Sequence, residues 1–105
     1  MKTNEEIVRE RLKATGIYCF ILYFEVFRDN KFQTSNQKII EAFAKNHEDW
    51  TEFSYQSRAS KGKAIFRDGQ EKIALKYIVN EASDNKVDAD IMNKAKRLLM
   101  SVSNK

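Results

Sequence analysis

The feature that most constrains the fold is an apolar block over residues 17–27, in which Glu25 is the only charged residue. Its eleven residues are far fewer than the roughly 20 that a membrane-spanning helix needs, so we expect the block to lie inside a folded domain. With 105 residues, no proline and three glycines, the chain has the size and composition of a single domain over residues 1–105.

The secondary structure of this block has two interpretations. Its aromatic and branched residues favour a strand, and Gly16 could end a helix just before it. An eleven-residue strand would be long, however, against a common strand length of about five or six residues. Helix is therefore the favoured interpretation, and the strand stays open as the alternative.

A helix start precedes the apolar block. Thr3 with Glu6 three residues later forms a capping-box pattern, and acids in a first turn suit the helix dipole, so we predict a helix from about Asn4. Side chains at three- and four-residue spacing then give this helix one apolar face that continues through the block. They are Val8, Leu12, Thr15, Cys19, Leu22 and Val26.

Two more helices are predicted after a break at residues 28–31. Thr34 with Gln37 repeats the capping-box spacing, so we predict a helix that begins there and ends near Asn46. Asn46 can in turn cap a short helix over residues 47–55, because acidic residues follow it where a first turn would lie.

The next part of the chain is more ambiguous. Residues 57–63 lack any apolar period, so we predict a solvated, positively charged loop. The Asp-Gly pair at 68–69 would suit the turn of a hairpin over 63–79, whereas the same aspartate with Glu71 three residues later would cap a helix. Good helix formers after the glycine favour a helix over 70–79.

A last helix is predicted after a loop at 83–86, with Asp88 as its cap. Its apolar face consists of Ile91, Ala95, Leu98 and Val102. The sequence therefore predicts an all-α single-domain bundle of about five helices. The alternative is an α+β, winged-helix-like domain with a hairpin at 63–79.

The net charge of +4 is concentrated in one segment. Residues 54–67 contain four cations and no acid, while the rest of the chain has 15 basic and 15 acidic residues. Cations on a flexible loop can reach phosphate oxygens, so we predict a nucleic acid, DNA or RNA, as partner and a regulatory function. The alternative for the segment is a solvated loop on a mildly basic protein. The predicted contact residues are Arg58, Ser60, Lys61, Lys63 and Arg67.

The second hypothesis is a helical protein-interaction module, such as an inhibitor or adaptor, or a homo-oligomer. Aromatic residues make up 11% of the chain, which is more than a small core easily hides. Aromatic residues that an interface could share are Phe20, Tyr23, Phe27, Phe32, Trp50, Phe53 and Tyr55. The acidic block at 46–53 beside the basic segment would also suit a charge-complementary partner or head-to-tail contact with another copy. The lysine- and asparagine-rich composition has the character of a small accessory protein of a phage or mobile element.

No catalytic, cofactor-binding or metal-binding residue can be named from the sequence. His47 has no second histidine or ligand pair at metal-binding spacing, and Cys19 lies in the apolar block, where burial protects a thiol. Asp88 and Asp90 are two residues apart and so do not share a helix face, and no glycine-rich phosphate loop occurs. We therefore expect a protein that is not an enzyme.

The sequence also predicts a cytoplasmic protein that contacts no membrane. The first six residues include two acids where an export signal would be positively charged. The single cysteine cannot form an internal disulfide, and no lipidation signal occurs at the end of the sequence.

Overall fold

The computed structural model describes residues 2–81 and 87–103, and these residues form seven helices and no strand. The helices are α1 (Asn4–Thr15), α2 (Ile17–Leu22), α3 (Phe24–Asp29), α4 (Gln37–Lys45), α5 (Glu52–Arg67), α6 (Glu71–Asn80) and α7 (Ala89–Ser103). The all-α prediction is confirmed, and the hairpin at 63–79 with its winged-helix alternative is wrong. The loop predicted at 83–86 lies outside the described residues.

The N-terminal part is helical, as favoured, but it is broken into three helices. Thr3 caps α1 by accepting a hydrogen bond from the Glu6 amide at 3.2 Å, as predicted. Gly16, at φ 90°, ends α1, and Tyr23, at φ −104° and ψ 22°, separates α2 from α3. These two breaks raise the number of helices above the predicted five.

Cations from distant helices satisfy backbone carbonyl groups at both breaks. Arg58 Nη1 donates to the Thr15 carbonyl oxygen at 2.8 Å, and Lys94 Nζ donates to the Leu22 carbonyl oxygen at 3.2 Å. A helix end leaves carbonyls without an intrahelical partner, so these contacts stabilise the corners of the folded chain.

The middle of the chain departs most from prediction. α4 begins at Gln37, whose amide donates to Ser35 Oγ at 3.0 Å, so the predicted start at Thr34 is wrong. Its end near Asn46 is confirmed. The short helix predicted over 47–55 is also wrong, because α5 begins later, at a cap made by Thr51.

The loop predicted over 57–63 is wrong, since these residues form the interior of α5. The small residues there permit close packing rather than flexibility. Ala59 and Gly62 are buried, and a Cβ atom on Gly62 would lie 2.5 Å from the ring of Phe27. α5 is therefore a central helix, and it contacts α1, α3, α4 and α6.

The Asp-Gly pair marks a helix end. Gly69, at φ 68°, donates its amide to the Phe66 carbonyl at 3.1 Å, and Gln70 donates to the Ile65 carbonyl at 2.7 Å. This pattern is a Schellman motif, the usual way in which glycine closes a helix. The predicted helix over 70–79 is confirmed as α6, but Asp68 is the C-cap of α5 rather than the cap of α6.

The last helix agrees with its prediction. Asp88 Oδ1 accepts a hydrogen bond from the Asp90 amide at 2.8 Å at the start of α7. The predicted face lies against the core, with Ile91 and Ala95 buried.

Stacked and edge-on phenylalanine rings fill the core. The ring centroids of Phe20 and Phe66 are 5.5 Å apart, and those of Phe24 and Phe66 are 4.7 Å apart. Cys19 is fully buried among these helices, as expected, and burial raises the pKa of its thiol from 9.0 to about 12.

Candidate binding surfaces

The five predicted phosphate contacts lie along α5 instead of on a loop, and Arg58 is turned into the protein. Besides its bond to the Thr15 carbonyl, Arg58 donates from Nε to Ser54 Oγ at 2.9 Å. Its guanidinium carbon lies 4.1 Å from the centroid of the Trp50 ring, within cation–π range. Arg58 therefore connects α1, α5 and the segment before α5.

Lys63 and Arg67 also have contacts within the molecule. Lys63 is only 7% exposed and donates from Nζ to the Gln33 carbonyl oxygen at 3.0 Å. Burial, and secondly the charge of Arg67, lower the pKa of Lys63. Arg67 is half-exposed, and its Nε lies 3.5 Å from Asp68 Oδ1.

Ser60 and Lys61 lie on the outer side of α5. Ser60 Oγ accepts a hydrogen bond from Asn36 Nδ2 at 2.9 Å. Lys61 is exposed, and no carboxylate of residues 2–81 and 87–103 lies within ion-pair distance of it. Lys61 and Arg67 are six residues apart, which places them about 120° apart around the helix. The four cations therefore do not form one surface.

Binding of backbone carbonyls by cations recurs elsewhere in the fold. Arg11 donates to the Ala64 carbonyl at 3.2 Å and pairs with Asp68 at 2.8 Å. The hydrogen bond from Arg11 is the main reason why the pKa of Asp68 is lowered. With Arg58 and Lys63, two of the four cations of residues 54–67, Arg11 is thus a third cation that binds a backbone carbonyl within the fold.

A groove of about 400 Å³ opens between α3, the α5–α6 turn and α7, and we call it the basic groove. Its floor is apolar. Phe24 and Phe66 lie at the bottom, with 2% and 3% of their surface exposed, and half-buried Leu98 and Val102 form the wall on α7.

The rim of the basic groove is positively charged. Among the described residues that line it, Arg28, Lys31 and Lys72 are cationic, and Glu71 is acidic. Arg28 also contacts Asp29 at 3.0 Å. Lys31 Nζ lies 5.2 Å from the centroid of the Phe32 ring, so this ring, which is 78% exposed, adjoins the rim. The groove can accept an apolar side chain flanked by carboxylates.

The start of α5 and the residues just before it are negatively charged. We call Asp49, Glu52 and Phe53 the acidic end. Asp49 and Glu52 are exposed, and the Phe53 side chain is 83% exposed. A shallow depression of about 390 Å³ beside Glu52 is also lined by Glu41. Among the described residues, these two glutamates accept hydrogen bonds from glutamine amides and pair with no cation.

Glu48 lies in a cluster that fastens the 46–51 segment to α2. Its Oε2 accepts hydrogen bonds from Tyr23 at 2.6 Å and from Tyr18 at 3.3 Å. Burial, and secondly the bond to Glu48, raise the pKa of Tyr23. His47 beside it is exposed. No group of three metal-ligating side chains occurs in residues 2–81 and 87–103.

Sequence reasoning missed the basic groove. Its cations come from the end of α3, the turn after it and α6, and none of these segments is rich in cations by itself. Only the packing of α3 against the α5–α6 turn brings them together.

Comparison with known proteins assigns no family to the chain, since no family model, curated protein or solved structure matches it. Within the described part of the chain, no helix combines the length and the apolar character needed to cross a membrane.

Proposed function

We propose that the protein is a protein-interaction module whose basic groove binds an acidic segment of a partner protein. The apolar side chains of that segment would lie on the groove floor. The observation that carries this proposal is the apolar floor of Phe24 and Phe66 beneath a rim with Arg28, Lys31 and Lys72. An apolar floor supplies affinity, and a charged rim supplies orientation and specificity.

The size of the groove supports a protein segment as occupant. A volume of about 400 Å³ has room for a few large side chains. An amphipathic helix presents such side chains at intervals of three and four residues, and its other positions would place carboxylates near the rim.

The proposal can be tested with a synthetic, fluorescein-labelled amphipathic helix that carries leucines on one face and glutamates elsewhere. We expect this peptide to bind in a fluorescence anisotropy titration, and a control peptide with lysines in place of the glutamates not to bind. Lys72→Glu reverses a charge at the rim and should weaken binding of the glutamate peptide at least fivefold.

The matched control is Lys76→Glu, which changes an exposed lysine one turn further along α6, outside the basic groove. This variant should bind the glutamate peptide as the wild-type protein does. Equal binding of both peptides, or equal effects of the two substitutions, would overturn the proposal.

Nucleic-acid binding through α5 is the second candidate function. The exposure of Lys61 and Arg67 supports it. Arg58 and Lys63 could contact phosphate only by giving up their bonds to the Thr15 and Gln33 carbonyls. The test is a mobility assay with duplex DNA, single-stranded DNA and RNA at two salt concentrations. Binding that weakens with salt and is lost in the double variant Lys61→Ala, Arg67→Ala would favour this candidate.

A further inference from the structure

On the basis of the function proposed for the basic groove, we propose that its occupant is the acidic end of a second copy of this chain. Copies would then join head to tail, with Phe53 of one copy in the basic groove of the next.

The two surfaces lie at opposite ends of the same helix. Phe53 is the second residue of α5, and Phe66, on the groove floor, is the last but one. These positions are thirteen residues apart, or about 20 Å along the helix axis at 1.5 Å per residue. The acidic end of a copy therefore does not reach its own groove, and the two surfaces can meet only between copies.

The charges of the two surfaces are complementary. The acidic end has two exposed acids, Asp49 and Glu52, and Glu41 adds a further acid beside Glu52. The rim of the groove has three cations and one acid among its described lining residues. Opposite potentials of this kind steer association and set its orientation.

The exposed aromatic side chains support the same contact. Phe53 and Phe32 are the two most exposed of the large apolar side chains in the described residues, at 83% and 78%. Phe53 would enter the groove, and the ring of Phe32 lies 5.2 Å from Nζ of Lys31, which lines the rim. One contact between copies would thus cover both rings and remove apolar surface from water.

The interface is heterologous, because each copy contributes a different surface. Such contacts continue into an open chain of copies or close into a ring. An isologous dimer, by contrast, uses the same surface on both copies. Pairs of variants can distinguish these two kinds of interface.

The test uses light scattering coupled to size-exclusion chromatography over a wide range of protein concentration, at low and high salt. The wild-type mass should rise with concentration, and high salt should reduce the rise. Phe53→Asp removes the apolar side chain of the acidic end, and Lys72→Glu reverses a charge on the rim. Both side chains are exposed, and circular dichroism verifies that each variant folds.

Each variant alone should be monomeric, whereas an equimolar mixture should form a one-to-one heterodimer. The mixture restores one interface, since the Phe53→Asp chain keeps its groove and the Lys72→Glu chain keeps its acidic end. Lys76→Glu is the control and should associate as the wild-type protein does.

Several outcomes would overturn the inference. They are a wild-type protein that stays monomeric, association that neither variant reduces, and a mixture that stays monomeric. If the wild-type protein is monomeric but binds the glutamate peptide through Lys72, the groove serves the acidic segment of another protein, and only the head-to-tail inference fails. If the protein neither self-associates nor binds the peptide, the proposed function fails as well.

Discussion

Arg58 has three contacts within the molecule that together make it a structural residue. Its guanidinium donates to the carbonyl of fully buried Thr15, donates to Ser54 and lies over the ring of Trp50. A hydrogen bond from a charged group contributes about 1.5–3 kcal/mol, and a cation–π contact about 0.5–2 kcal/mol. Lys61, three residues later on the same helix, is exposed to solvent.

We therefore expect Arg58→Ala to lower the free energy of unfolding by about 2–4 kcal/mol. Lys61→Ala should change it by less than about 0.5 kcal/mol, as is usual for exposed side chains. Urea unfolding followed by the fluorescence of Trp50 and by circular dichroism measures both values. Similar, small effects of the two substitutions would show that Arg58 is not a structural residue.

At the scale of the elements, α4 and α5 end in the same hydrogen-bond pattern with different residues. After α4, His47 donates its amide to the Ala44 carbonyl at 3.0 Å, and Glu48 donates to the Phe43 carbonyl at 3.2 Å. His47 is therefore left-handed, with φ 59°, where the end of α5 has Gly69. This conformation is strained for a residue with a Cβ atom and free of strain for glycine.

The matched substitutions are His47→Gly and Gly69→Ala. We expect His47→Gly to raise the free energy of unfolding by about 0.5–1 kcal/mol, because relief of strain exceeds the added entropy of the unfolded chain. Gly69→Ala should lower it by about 1 kcal/mol, although a Cβ atom there would meet no other atom within 4 Å. Chemical unfolding measures both changes, and a loss of stability in His47→Gly would contradict the assignment of the motif.

At the scale of the whole molecule, folding favours the protonated forms of two side chains, the Cys19 thiol and the Tyr23 hydroxyl. Burial raises the pKa of Cys19 to about 12, and burial together with Glu48 raises that of Tyr23. The unfolded chain releases these protons at lower pH. The stability that Cys19 contributes is therefore present below pH 9.0 and is lost as pH rises toward 12, whereas the stability that Tyr23 contributes is lost only above pH 10.0. Lys63 has the opposite effect on stability. Burial lowers its pKa, so the free energy of unfolding rises with pH just below pH 10.5, where the unfolded chain still holds a proton that the folded protein has released.

We therefore expect the urea midpoint to fall as pH rises above 9.0. Each group contributes a slope of at most about 1.4 kcal/mol per pH unit. In Cys19→Ala the first part of this fall should disappear, because the thiol is the group with the lowest ordinary pKa of the two. A midpoint that falls with the same slope in the variant and the wild-type protein would show that Cys19 is not responsible.

The sequence by itself determined the features that depend on neighbours along the chain. The caps made by Thr3 and Asp88, the end of α4 near Asn46 and the apolar face of α7 were all predictable, because their hydrogen bonds and periodicity span only a few residues. The helical state of residues 17–27 was also predictable from the sequence, because a strand of eleven residues would be unusually long.

Only the tertiary structure decided how residues 57–67 are used. The lack of an apolar period over residues 57–63 predicted a loop, but Gly62 lies where α5 passes close to Phe27, a residue far away in the sequence. Their cations suggested phosphate contacts, but Arg58 and Lys63 donate to carbonyls left open where the chain turns in other segments. The basic groove likewise exists only where separate segments meet. A sequence pattern indicates hydrogen bonds between residues that are close along the chain. The group that pairs with a buried cation, or the side chain that packs against a glycine, is set by long-range packing instead.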